Sequence, residues 1–377
     1  MRFHIPGLAH TVTEDREWNA CAFTQKVFKL CSILKNLGHT VYHYGHERSK
    51  VDCTEHVTVT NDEILEKAYG KYDWKKTSFK NRLNDYAYTE HAKASIREIN
   101  LRKQKNDFLL LPFGWGHKAI SDGLPDLISV ESGVGYRDSF ARFRIFESYA
   151  LMHACHGLDW VQNAVVDYYM TFVVPNHFNP DDFSFSDKRE DWLLYLGRIN
   201  VGKGLHIIID ATRRAGKKLV VAGQGDINTI PKTGCMKHVE FVGYANREKR
   251  KELMCRCGGL VILSQYLEPF GGVVVEAMMS GAPVVTSDWG AFPEINLHGI
   301  TGYRTRAMEQ IVWALQNTHR IDPKTCRKWA VANFSNERIG LMYNDVFRQI
   351  MDIFDGSGGW YAERKRGELD WLTKYYP

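Results

Sequence analysis

The chain has no apolar run near the roughly 20 residues a membrane-crossing helix needs. Its longest apolar stretches, such as Phe270–Met279 and Leu205–Ile209, are short and broken by charge. The opening residues Met1-Arg2-Phe3-His4-Ile5-Pro6 lack the apolar core of a secretory leader. The expectation is a cytoplasmic protein, or one held peripherally at a membrane. Cysteine is sparse: eight in 377 residues, scattered from Cys21 to Cys326. That distribution reads as reduced thiols, not a disulfide frame. Cys255-Arg256-Cys257 has the wrong spacing for a zinc knuckle. Excess charge is small as well. A net charge of +5 falls short of the concentrated basic surface of a nucleic-acid binder. The basic clusters Lys71–Lys80, Arg97–Lys105, Arg247–Lys251 and Arg364–Arg366 read as solvated helix faces. No Asp-x-Asp pair and no Walker A loop occur. Ala222-Gly223-Gln224-Gly225-Asp226 does not complete Gly-x-Gly-x-x-Gly, because position 228 is Asn228.

What is present is an ordinary globular mix, 44% hydrophobic and 25% charged, long enough for two domains. Strand-like runs alternate with helical ones in both halves. In the first half, Arg2–Pro6 reads as a strand, Cys21–Leu37 as a helix closed by Gly38, and Thr40–Tyr44 as the next strand. Further apolar runs lie at Phe108–Pro112, Leu127–Glu131, Asp159–Gln162 and Thr171–Pro175, with a helical stretch at Ile145–Cys155. In the second half, strand-like runs at Leu193–Leu196, Lys218–Ala222, Val239–Val242, Leu260–Leu263 and Pro283–Thr286 alternate with helical ones. This order predicts an α/β protein with two parallel-sheet domains facing each other across a cleft. Pro175–Asp182 is too rich in Pro, Asn and Asp for regular structure and reads as the linker. The expected boundaries are 1–178 and 179–344. A helical tail follows Asn336, with glycines at Gly356, Gly358 and Gly359 and an aromatic-rich end containing Trp360, Tyr361, Trp371, Tyr375 and Tyr376.

Chemistry concentrates between Ser264 and Thr286. The buried run Leu260–Leu263 delivers Glu268 to the ligand edge of a sheet. Gly271-Gly272 opens a helix whose first N–H groups suit an anion. Glu276 sits among Val273, Val274, Val275, Ala277, Met278 and Met279. A carboxylate there is costly without a partner, which favours a ligand role; hydroxyls of a ribose would suit it. Arg198 and Lys203 lie five apart in a glycine-bearing loop, a sound pair for a diphosphate, with two exposed surface cations as the alternative.

These residues resemble a known pattern. Gly197-Arg198…Lys203-Gly204, Phe241-Val242-Gly243-Tyr244, Glu268-x7-Glu276, Gly281-x-Pro283-Val284-Val285 and Phe292-Pro293-Glu294 are similar to the donor domain of retaining glycosyltransferases of family 4, which have the GT-B fold with two Rossmann-like domains. The resemblance implies that Arg198 and Lys203 hold the diphosphate of a nucleotide-sugar and that Glu276 holds its ribose. It implies that Glu268 faces the hexose, that Phe270, Gly271 and Gly272 offer backbone N–H groups, and that Gly243 and Tyr244 line the base. In the first half, Glu147–His153 resembles a stretch whose histidine reaches the donor sugar; His153 is the choice and His156 the rival. Glu131, before the Gly133–Tyr136 turn, is a candidate acceptor contact. The resemblance also implies that the last helix, about 345–377, returns to the N-terminal domain.

The function implied is transfer of a hexose from a nucleotide-diphosphate sugar to a hydroxyl of a glycan or glycoconjugate, with retained configuration. Without Asp-x-Asp no metal is expected, nor any other cofactor. The alternatives are a nucleotide-sugar epimerase or hydrolase on the same plan, a phosphorylase, and a non-catalytic nucleotide-sugar-binding protein. Nucleic acid is not an expected partner, and membrane contact is expected to be peripheral if it occurs.

Overall fold

A computed structural model describes residues 1–14, 21–72, 79–162, 170–231 and 234–354. They form two compact units, one from 1–72, 79–176 and 337 onward, the other from 177–336. No helix among the described residues is long and apolar enough to cross a membrane.

The first unit holds strands β1 (Arg2–Pro6), β2 (Thr40–His46), β3 (Glu55–Thr60), β4 (Phe108–Leu110), β5 (Ile128–Val134), β6 (Phe143–Phe146) and β7 (Thr171–Val173). Their order is β3-β2-β1-β4-β5-β6-β7, with every pairing parallel. Helices cover such sheets on both faces, so the strands are apolar almost throughout. Phe3, Ile5, Phe108, Leu109, Leu110 and Val130 are fully buried. The first helix, Ala22–Asn36, turns Val27, Leu30, Cys31, Ile33 and Leu34 inward and stops at Gly38, whose φ of 80° is the left-handed end residue that glycine tolerates.

Two stretches differ from expectation. Ile145 is not helical: Phe143–Phe146 is strand β6, paired with β5 and β7. The helix starts after Ser148, whose Oγ accepts the N–H of Leu151 (3.2 Å) as an N-cap. It then runs unbroken over Tyr149–Gln162, so Asp159–Gln162 is its last turn. Four residues are too few for periodicity to separate a strand from a helix end.

The chain returns to the first unit at its end. Helix Asn336–Phe354 buries Ile339, Met342, Tyr343, Val346, Phe347 and Ile350. These join the core of Phe3, Ile5, Val27 and Phe108, and Phe347 packs edge-on against Phe108 at 5.2 Å. A fully buried Phe of this kind stabilises by about 1.5–3 kcal/mol. Trp360, Tyr361, Trp371, Tyr375, Tyr376 and the glycines before them lie outside the described residues.

The second unit holds β8 (Trp192–Leu196), β9 (Lys218–Ala222), β10 (Val239–Gly243), β11 (Gly259–Ile262), β12 (Val284–Ser287) and β13 (Gly302–Thr305). Their order is β10-β9-β8-β11-β12-β13, again all parallel. After β10 the chain crosses back to the far side of β8. The carboxyl ends of β8 and β11 therefore flank a switch point, where open α/β sheets bind ligands.

Candidate active site

The loop leaving β8 is held from three sides. Tyr195 Oη donates to the carbonyl of Arg198 (2.6 Å). Asn200 Oδ1 accepts the N–H of Lys203 (2.9 Å), and the carbonyl of Gly202 accepts the N–H of Gln265 (2.8 Å). Gly204 has φ 71°, and a Cβ on it would lie 2.1 Å from the carbonyl oxygen of Leu263. No side chain fits there, so this loop and the end of β11 lie in backbone contact. A second tight approach lies between neighbouring loops, where a Cβ on Gly223 would meet the carbonyl oxygen of Gly197 at 1.7 Å.

That contact brings Lys203 to Glu268. Its Nζ lies 3.0 Å from Oε1 and 2.8 Å from Oε2. Ser264 Oγ donates to Glu268 Oε2 (2.7 Å), and the Tyr266 ring lies under the ammonium, 4.9 Å from it. The two charged side chains are only 17% and 9% exposed. Such a pair loses most of its hydration and is held by its mutual attraction and its hydrogen bonds. Burial pushes the Tyr266 phenol upward, with Glu268 adding to the shift. Gly290 closes the other side of Glu268, since a Cβ there would meet the Glu268 nitrogen at 2.9 Å.

Arg198 stands on the same loop. It is exposed, and its guanidinium has no ion-pair partner among the described residues. Gly271, at φ 83°, begins helix Gly272–Met279, and no side chain caps it. Phe270 is 3% exposed and packs edge-on against Phe334 at 5.7 Å, so its ring belongs to the core and only its backbone is available to a ligand. Gly243 has φ 73°, and its carbonyl accepts the N–H of Gly223 (2.8 Å). Tyr244 beside it is half-buried.

Glu276 has the partner that its apolar helix demands. Arg250 Nη2 meets its Oε2, with the side chains 28% and 19% exposed. The cluster Arg247–Lys251 is therefore more than a solvated face: Arg250 turns to Glu276, and Arg247 meets Asp182 at 2.6 Å. Helix periodicity alone does not name a partner 26 positions away in sequence.

In the first unit, His153 is exposed, its ring stacked on Tyr149 at 6.3 Å. His156 is 2% exposed and packs edge-on against Phe146, where burial lowers its pKa. Of the two, His153 is the one open to a ligand. Glu131 is not open. It is fully buried, with Tyr136 Oη (3.0 Å) and the N–H groups of Phe140 and Ala141 (2.7 Å each) on its oxygens. It fastens the β5–β6 connection instead of contacting an acceptor, a correction that sequence could not supply because its partners are mainly backbone.

His46, Glu47 and Asp62 bring three potential metal-binding atoms within 4.8 Å of one another, but they suit a cation poorly. His46 Nδ1 accepts the N–H of Arg48 (3.1 Å). The neutral ring then carries its proton on Nε2, the nitrogen nearest Asp62 (3.4 Å), and a metal needs that nitrogen bare. Arg48 Nη2 already lies 2.7 Å from Asp62.

The fold and this β8–β11 edge define a class. Residues 179–330, nearly the whole second unit, match the family model of glycosyl transferases group 1. The chain is 38% identical over 122 residues to an uncharacterized glycosyltransferase of Methanocaldococcus jannaschii, a match covering 30% of this chain and 31% of that protein. The matches to the first curated relatives thus span less than a third of their length. Among solved structures, sucrose-phosphate synthase from Thermosynechococcus elongatus superposes with TM-score 0.66 over 93% of this chain and 99% of that one, at 18% identity. The Anabaena protein HepE, solved in complex with UDP and glucose, gives TM-score 0.56 over 93% and 100% at 17% identity. The two parallel-sheet units have the GT-B fold.

Proposed function

We propose that the protein is a retaining glycosyltransferase that moves a hexose from a nucleotide-diphosphate sugar to a hydroxyl of a glycan or glycoconjugate, without a metal. The observation that carries this is the cluster of Lys203, Glu268 and Ser264 at the switch point, with the exposed guanidinium of Arg198 on the same loop. The UDP in the Anabaena neighbour supports a nucleotide donor.

In the reaction the bond from the anomeric carbon to the phosphate oxygen breaks, and one to the acceptor oxygen forms on the same face. The acceptor proton leaves with the diphosphate. Negative charge grows on that leaving group. Arg198, Lys203 and the N–H groups opening helix Gly272–Met279 would stabilise it as preorganised charge. Glu268 would accept from sugar hydroxyls and Glu276 from the ribose through the oxygen that Arg250 leaves free. Gly243 and Tyr244 would border the base, and His153 would be the first unit's contribution to the sugar.

The test is incubation with radiolabelled nucleotide-sugars, with and without acceptor glycans, in excess chelator. Acceptor-dependent transfer with full activity in chelator supports the proposal. Donor turnover that ignores the acceptor favours an epimerase or hydrolase, and activity restored only by manganese removes the metal-free mechanism.

A further inference from the structure

Strand β13 and helix Met308–Gln316 border a cavity of about 550 Å³ on the second unit, a size typical of small-molecule sites. Its apolar wall is Trp313, 48% exposed on the outer face of the helix, beside the exposed Glu309, Gln310 and Gln316. Tyr303 meets the indole edge-on, 5.1 Å between centroids at 76°. That contact holds a flat apolar surface toward the solvent.

The rest of the wall is polar and set in place. Arg306 Nε donates to Asp288 Oδ2 (2.9 Å), and Arg304 Nε lies 3.4 Å from Oδ1 of the same carboxylate. Gln310 Oε1 accepts the N–H of Arg306 (2.9 Å), which leaves its NH2 group as a donor. His298 Nδ1 accepts the N–H of Arg304 (3.0 Å), so in the neutral ring Nε2 carries the proton and donates. The charges cancel: Arg304 and Arg306 are matched by Asp288 and Glu309.

Balanced charge disfavours an anion such as a nucleotide, whose phosphate would find no surplus cation. A flat apolar face ringed by donors and acceptors suits a molecule with an apolar face and an edge of hydroxyls. The geometry points to a binding site for an uncharged saccharide, its C–H face on Trp313 and its hydroxyls met by Arg306, Gln310, His298 and the carboxylates. The adjoining loop leads to the candidate active site. Trp289 Nε1 donates to the Ser264 carbonyl (3.0 Å), and Gly290 abuts the Glu268 backbone. The site would hold a distal sugar of an extended acceptor glycan; that role rests on the proposed function, whereas the binding itself does not.

Calorimetric titration of the full chain with maltohexaose and with mannohexaose tests it. At least one should bind at millimolar concentration. Trp313→Ala should weaken that binding at least about tenfold, and so should Arg306→Ala, whose side chain is 71% exposed. Absence of binding by both glycans, or binding that survives both cavity substitutions, overturns the inference. UDP titrated into the same samples reports separately on the donor site, so failure of either reading is seen without the other.

Discussion

Replacing Lys203 with Ala should destabilise the protein as well as impair it, because the ammonium is the charge partner of a buried carboxylate. Breaking a fully buried pair from one side costs about 3–5 kcal/mol. Here the side chains keep 17% and 9% exposure, and Ser264 still donates to Glu268, so about 2–3 kcal/mol is expected. For a unit of this size, that lowers the melting temperature by roughly 4–12 °C. Differential scanning calorimetry of the full chain reads it directly. Lys203→Met combined with Glu268→Gln removes both charges at little change in volume, and should recover most of the loss. A Lys203→Ala protein that melts with the wild type would refute the reasoning, as would a double variant no more stable than the single one.

Arg198→Ala separates binding from stability. The exposed guanidinium has no ion-pair partner among the described residues, so unfolding should shift by less than about 0.5 kcal/mol while turnover falls about 10²–10³-fold; near-normal rates would take Arg198 out of the site. Gly204→Ala places a methyl 2.1 Å from the Leu263 carbonyl oxygen at φ 71°. It should cost at least about 2 kcal/mol in urea unfolding, and a neutral result would show that the loop has room to shift. Acid should weaken the first unit. Burial lowers the pKa of His10 to about 4, of His91 to about 3 and of His117 to about 4. The unfolded chain takes up these protons near the ordinary value of about 6.5 and the folded one does not. Stability therefore falls as pH drops from about 6.5 toward 4, and is unaffected by these groups above that window. Urea midpoints across this range should show the decline, and His91→Leu should make it shallower; an unchanged slope would count against the cause given.

Much of this protein was legible in its residues. The alternation of apolar runs with helical stretches is local, and it marked strands β8 to β12 of the second unit nearly to their ends but not the short edge strand β13 (Gly302–Thr305). Glu268, Glu276, Arg198 and Lys203 stood out because charge in an apolar or glycine-rich setting needs a reason wherever the chain folds. Short elements were less legible. Strand β6 and the start of the next helix were misread, since a four-residue strand carries too little periodicity and Ser148 acts through one capping hydrogen bond.

Partnership was the part that only tertiary structure decided. Lys203 and Glu268 are 65 positions apart and meet because Gly204 lets one loop rest on another. Arg250 reads as a surface cation until the packing of two helices sets it against Glu276. Glu131 reads as an open carboxylate until its oxygens are found on backbone N–H groups. A sequence states which side chains carry charge and which segments must be buried. Which charge neutralises which depends on contacts between distant segments, and those exist only once the sheets have formed.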